Sequence, residues 1–108
     1  MNIAQLYEIV WSKYVFHRDT YPALKDINAG EPSHRAFALN HALLHTMKQV
    51  GKLATIAEAF DHTNTFDDNA KAMIREASAK LIVNAIQFAA HFDIDPASLE
   101  TAIQESLS

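Results

Sequence analysis

The chain has 108 residues, of which 49% are hydrophobic, a formal net charge of −4 and no cysteine. Its length fits one domain with a core of its own, and its acidic balance argues against general nucleic-acid binding. The lack of cysteine excludes disulfides, cysteine-ligated zinc and a cysteine nucleophile.

The apolar segments of the chain do not suggest a membrane protein. The longest one is too short to cross a bilayer and contains Asn84 and Gln87. The first residues lack the basic, apolar and small-residue regions of a signal peptide. We therefore expect a soluble, cytoplasmic protein that does not bind membranes.

The first predicted element is a helix over about residues 2–17. Ile3, Leu6 and Val10 recur in it at helical spacing. The connection that follows, over about residues 18–31, is long for a segment without structure of its own. It is either a functional lid or binding loop, or a plain surface crossover.

The second helix is predicted over about residues 32–60, with Pro32 in its first turn. When its residues are projected at about 100° each, they divide into two sides. The apolar side consists of Leu39, Leu43, Met47, Val50, Leu53, Ala54 and Ala57. The polar side consists of His41, His45, Lys48 and Lys52.

The third helix is predicted over about residues 67–92, after a turn in which Thr65 and Asp68 are expected to form a capping box. Beyond Lys80 this helix is apolar on all sides, which is typical of a helix that is buried all round. Either its own neighbours or a second subunit would cover it.

Asp95 and Pro96 are good first residues for a fourth helix, predicted over about residues 96–107. The sequence therefore predicts a single all-α domain, residues 1–108, folded as a four-helix bundle. We expect it to be a homodimer or a larger homo-oligomer that assembles through the third helix.

Three stretches of the chain resemble the MazG-like all-α nucleoside triphosphate pyrophosphohydrolases. "HALLHTMKQVGKLATIAEAF" is similar to the helix of that family with the pattern Glu-Glu-x-Gly-Glu-Leu. "REASAKLIVNAIQFAAHFDIDPASLETAI" is similar to its Glu-x-x-Asp helix and last helix, and "VWSKYVFH" to the aromatic end of its first helix. The resemblance implies a bundle whose acidic side chains bind Mg²⁺ and cleave a nucleoside triphosphate to a monophosphate and pyrophosphate.

The sequence departs from this family at the acidic positions. Lys48, Gln49 and Lys52 stand where the first motif has glutamates, and Ala77 and Lys80 stand where the second has Glu and Asp. A lysine ammonium cannot ligate Mg²⁺, but it can hold a phosphate as a point charge. We therefore expect a non-catalytic protein without a cofactor, whose candidate anion-binding residues are Lys48, Lys52 and Lys80. Its ligand would be a nucleotide, another phosphate-bearing molecule or a protein partner.

Two alternatives stay open. An active pyrophosphohydrolase would need a rebuilt Mg²⁺ site that uses Glu58, Glu76 or the aspartates between Asp61 and Asp68. A plain helical assembly module would need no ligand at all. The sequence assigns no catalytic residue in either case.

The histidines of the second helix have two interpretations. His41 and His45 are four residues apart, a spacing that can chelate a transition metal, with Glu58 and Glu76 as further candidate ligands. The simpler interpretation is a polar helix face. In both cases we expect the charge of Lys48 to lower the pKa of the two imidazoles.

Overall fold

A computed structural model describes residues 1–13, 21–24, 27–28 and 31–108. These residues form an all-α helical bundle without strands. Its elements are α1 (Ile3–Lys13), a short 3₁₀ helix η1 (Pro22–Leu24), α2 (Pro32–Thr63), α3 (Asp68–His91) and α4 (Pro96–Ser106). The predicted extension of the first helix to residue 17, which includes Tyr14 and His17, lies outside the described residues.

The first helix is fixed at its start and in its middle. A reciprocal cap opens it, because the Asn2 Oδ1 accepts from the Gln5 N–H at 2.8 Å and the Gln5 Oε1 accepts from the Asn2 N–H at 2.9 Å. Further along, the Tyr7 hydroxyl donates to the Ile94 carbonyl at 2.9 Å. This bond connects α1 to the link between α3 and α4, the two helices against which α1 packs.

A short turn joins α2 to α3, so the two long helices lie side by side and antiparallel. Asn64 ends α2 in the left-handed conformation, with φ of 51°. Asp67 then caps α3, since its side chain accepts from the Ala70 N–H at 2.8 Å. Asparagine and aspartate are well suited to these two positions.

The predicted capping box of Thr65 and Asp68 is wrong. The cap is Asp67, and Asp68 is the first residue of the helix. Thr65 is engaged elsewhere, because its hydroxyl lies 2.6 Å from that of Thr63 at the end of α2. The two threonines stabilise the turn rather than the start of α3.

The surface by which α2 packs on α3 is made of small and polar residues. Ala38, Ala42 and Gln49 are the buried side chains on the middle of α2, and Ala77 and Asn84 are buried on α3. Small side chains let two helix backbones approach closely, which leaves no room for a leucine stripe between them. The polar side of α2 therefore borders the contact with α3.

The apolar side of α2 points away from this contact. Leu39, Leu43, Met47 and Val50 are all exposed in the single chain. Sequence periodicity correctly separated the two sides of α2, but the inner side of the helix is the one rich in alanine, histidine and lysine.

The third helix is covered mainly by its own chain. It packs against α2 and against α1. In its second half Ile86 and Ala89 are buried, and Ile82 is the large apolar residue left exposed. Burial on several sides of α3 is thus achieved within one chain, and a dimer contact through α3 stays a prediction.

Part of the long connection has structure of its own. Leu24 of η1 is fully buried against Ala38 of α2, and Tyr21, Ile27 and Phe37 pack around this pair. This small cluster fixes the position of Tyr21 beside α2. The connection is therefore more than a plain surface crossover.

The last helix begins as predicted. The Asp95 side chain accepts from the Ser98 N–H at 2.7 Å, and Pro96 is the first helical residue. The helix packs on α1 and has no buried residue. None of the helices in the described ranges has both the length and the apolar character that a bilayer crossing requires.

Candidate anion-binding pocket

A pocket of about 370 Å³ lies between the middle of α2 and the middle of α3. Helix α2 contributes four of its polar residues, α3 contributes the facing turns, and Tyr21 from the connection closes one edge. The lining residues are Tyr21, His41, His45, Lys48, Gln49, Ala79, Lys80, Val83, Asn84 and Gln87. A pocket of this size suits a small ligand.

The floor of the pocket is formed by buried amide side chains. Gln49 is 3% exposed and Asn84 is 6% exposed, and Gln87 is buried as well. The Gln49 Oε1 and the Asn84 Nδ2 have no hydrogen-bond partner within the described part of the chain. Burying a polar atom without a hydrogen-bond partner costs about 1–3 kcal/mol of folding stability. The burial of these two atoms in one pocket therefore requires an explanation.

The rim of the pocket is cationic. Lys48 and Lys80 are exposed at its opening, together with His45. Lys80 donates to Glu76 Oε1 at 2.8 Å, whereas Lys48 has no carboxylate within ion-pair distance in the described ranges. The described lining contains no acidic residue. The pocket is therefore a positive region on a chain whose net charge is negative.

Two histidines on α2 share a hydrogen bond at the pocket. The Nε2 atoms of His41 and His45 lie 3.1 Å apart, so one ring donates and the other accepts. The His41 ring stacks on Phe37, with centroids 5.4 Å apart, and meets Tyr21 edge-on at 5.3 Å. The bond requires one proton between the two nitrogens.

The pKa of His41 is lowered, as the sequence led us to expect, but the cause differs. Partial burial is the larger contribution, and the nearby His45 is the second. Lys48 is not among the causes. The neutral form of His41 is therefore favoured by the way the ring is packed.

The five positions that the sequence resemblance aligned with acidic residues all lie where α2 faces α3. Lys48, Gln49 and Lys80 line the main pocket. Lys52 and Ala77 border a smaller cavity of about 100 Å³, together with Glu76. The structure thus brings two of the three candidate anion-binding lysines to one pocket, and it places Lys52 just beyond it.

Glu76 belongs to this lysine cluster. The pKa of its carboxyl is lowered, first by the hydrogen bond from Lys80 and then by the charges of Lys80 and Lys52. The exposed carboxylate is already engaged by a lysine, which makes it a poor ligand for a metal ion. It also leaves Lys48 as the cation of the pocket best able to bind an external anion.

The other candidate metal ligands do not lie together at one site. Glu58 lies in the exposed last third of α2, 3.8 Å from His62. His41 and His45 are adjacent, yet the described residues contain no group of three or more histidine, aspartate or glutamate side chains that could hold a metal ion.

The aspartates around the turn from α2 to α3 do not line the pocket either. Asp61, Asp67 and Asp68 are all exposed. Asp67 is used as a helix cap.

Three polar residues of the pocket, Tyr21, Asn84 and Gln87, were not predicted as site residues. Tyr21 lies in the long connection, whose path cannot be read from periodicity. Asn84 and Gln87 were noticed only as polar interruptions of an apolar stretch. That interruption was the available signal, because an amide on a buried helix face needs a partner or a ligand.

Comparison with family models, with curated proteins and with solved structures finds no match for this chain. The similarity to the MazG-like family therefore rests on the sequence patterns given above.

Proposed function

We propose that this protein is a non-catalytic helical module that binds a small phosphate-bearing ligand, without a metal ion, between α2 and α3. One observation carries the proposal. Lys48, which has no carboxylate at ion-pair distance in the described ranges, lines the same pocket as two buried amide atoms that find no hydrogen-bond partner there.

The charge distribution supports an anionic ligand. Lys48 from α2 and Lys80 from α3 both line the pocket, and an anion there can accept a hydrogen bond from the Lys48 ammonium, whereas Lys80 is already bound to Glu76. Charge-assisted hydrogen bonds of this kind are about twice as strong as neutral ones. The lysines in a concave site also concentrate the positive field toward the opening.

The amide floor supports a ligand with hydrogen-bonding groups of its own. The Gln49 Oε1 needs a donor, and the Asn84 Nδ2 needs an acceptor. A hydroxylated phosphate ester or a nucleotide offers both, whereas a bare inorganic anion offers mainly acceptors. We therefore expect an ester to bind more tightly than inorganic phosphate.

The non-catalytic part of the proposal is supported by the donor set. A Mg²⁺ site needs several oxygen ligands directed at one point. The motif positions supply ammonium, amide and methyl groups instead, and Glu76 is held by Lys80.

The test is isothermal titration of the protein with pyrophosphate, inorganic phosphate and nucleoside mono- and triphosphates, in the presence of EDTA. We expect binding without metal. The change Lys48→Gln should weaken it at least about tenfold, since a hydrogen bond to a charged group is worth about 1.5–3 kcal/mol.

The matched control is Lys71→Gln. Lys71 is an exposed lysine of α3 that does not line the pocket, and its loss changes the net charge equally. It should alter affinity less than about twofold. Equal weakening by both changes, or no binding at all, would refute the pocket. Metal-dependent release of pyrophosphate from a triphosphate would instead establish the hydrolase alternative.

A further inference from the structure

The apolar side of α2 forms a continuous exposed surface in the single chain. Leu39, Leu43, Met47 and Val50 are 45%, 44%, 60% and 53% exposed. They succeed one another at steps of four, four and three residues, so they lie in one row along the helix. A row of this length on a folded protein indicates an interaction surface rather than scattered apolar residues.

The dimensions of the chain indicate how much surface is left uncovered. Its accessible surface is 7730 Å² at a mass of 12.1 kDa. A compact monomer of this mass exposes about 6,000 Å², so the excess is roughly 1,700 Å². The radius of gyration is 16.6 Å, against about 13 Å for a compact domain of this length.

This excess agrees with what a permanent dimer covers. Obligate homodimers bury about 2,000–5,000 Å² in total, which is about 1,000–2,500 Å² for each chain.

The row also has the seven-residue repeat of helices that pack along their length. Ala36, Leu43, Val50 and Ala57 are spaced by seven, and Leu39, Thr46, Leu53 and Phe60 follow them by three. None of these eight residues is charged. Such a seam packs against another long helix. Helix α2 has 32 residues, so it is about 48 Å long, and α3, the next in length at 24 residues, is already packed against it.

We infer that this surface binds the same surface of a second copy, with the two α2 helices antiparallel. The first set of four, spaced by seven, is symmetric about the point between Thr46 and Met47. In a twofold pair, Leu43 of each copy lies opposite Val50 of the other, and Ala36 lies opposite Ala57. Large residues therefore meet at the centre and small residues at the ends, as a self-complementary interface requires.

A groove at the start of α2 offers a further contact between the two copies. Its volume is about 480 Å³, and it is bordered by four residues of α2 and by Phe92, which follows α3; the α2 residues are Pro32, Arg35, Ala36 and Leu39. In the antiparallel pair, the exposed Phe60 of the second copy lies opposite this groove. An aromatic side chain seated in an apolar groove is a common anchor of protein interfaces. The twofold symmetry repeats this contact at both ends.

The dimer surface is separate from the anion pocket and does not depend on it. Light scattering with size-exclusion chromatography should give twice 12.1 kDa at micromolar concentration. The change Leu43→Glu should raise the dimer dissociation constant at least about tenfold, because it places two charges at the centre of an apolar contact. Circular dichroism should show that the helices persist.

The matched control is Ile9→Glu, since Ile9 on α1 is 46% exposed, much like Leu43. It should leave the dimer intact. If Leu43→Glu unfolds the chain, Met47→Lys at the more exposed central position decides the same question. A monomeric mass for the unaltered protein would refute the dimer, as would a dimer that Ile9→Glu dissociates and Leu43→Glu does not.

Because the chain has no cysteine, single cysteines report the direction of pairing. Antiparallel helices predict that Met47→Cys forms a disulfide-linked dimer. Ala57→Cys should form one only when mixed with Ala36→Cys. A disulfide in Ala57→Cys alone would show a parallel pair and overturn the proposed arrangement.

Discussion

The two long sides of α2 differ in what covers them. The side toward α3 carries Ala38, Ala42 and Gln49, which permit a close approach and leave a polar pocket beside it. The opposite side carries Leu43 and Val50, which stay about half exposed in the single chain. An amphipathic pattern therefore identifies which residues seek burial, but not whether the same chain provides the cover.

The strongest test of this comparison is to enlarge the close contact. Ala42 is buried where α2 meets α3. Changing Ala42→Leu adds three carbons to a packed surface and should lower the free energy of unfolding by about 1–3 kcal/mol. Thermal or urea unfolding measures the change.

Ala59→Leu is the matched control, because Ala59 is an exposed residue on the same helix. It should change stability by less than about 0.5 kcal/mol. Equal losses at the two positions would mean that Ala42 does not hold α2 against α3.

The pocket floor provides the next largest effect, and it acts on stability and binding in opposite directions. Gln49→Met keeps the length of the side chain and removes a buried oxygen that has no partner. We expect the free energy of unfolding to rise by about 1 kcal/mol or more, since the desolvation cost is relieved. Affinity for the phosphate-bearing ligand should fall.

Gln104→Met, on the exposed face of α4, is the control and should change neither quantity. A Gln49→Met protein that is less stable than the original would show that the amide is needed for folding. The pocket would then lose one of its two ligand-directed atoms.

Much of the backbone could be predicted from the sequence, because its signals are local. Pro32, Asp95 and Pro96 mark helix starts through their own chemistry, and the structure confirms these starts. The capping box failed because Asp67, the stronger capping residue, accepts from the Ala70 N–H and starts the helix two residues later than a Thr65 cap would, and sequence spacing does not rank such competitors.

The site could be predicted only in part. Lys48 and Lys80 were expected from their motif positions, and the facing of α2 on α3 brings them together. The sequence did not predict that Asn84 also lines the pocket, because this depends on the rotation of α3 about its own axis. The position of Tyr21 depends on the burial of Leu24, which anchors the connection against α2. No periodic pattern in the sequence reveals that burial.

The smallest expected effect concerns pH, and it tests whether the histidine pair belongs to the pocket. The pKa of His41 is lowered from its ordinary 6.5, so the folded chain holds fewer protons at this site than the unfolded chain. The contribution to stability is therefore present above about pH 6.5 and is lost as the pH falls through the lowered pKa. The midpoint of thermal unfolding should fall on acidification, and His41→Gln should flatten this dependence.

His62→Gln removes an exposed histidine elsewhere on α2 and should keep the original pH profile. Added sulfate distinguishes anion binding in the pocket from a pKa shift that is caused by burial alone, because the charge of sulfate is constant over this pH range. An anion near the His41 ring favours its protonated form, so sulfate should stabilise the protein more at pH 5.5 than at pH 7.5, and less so in His41→Gln. An equal effect of sulfate in both proteins would place the anion away from the histidines, and Lys48 would then act without them.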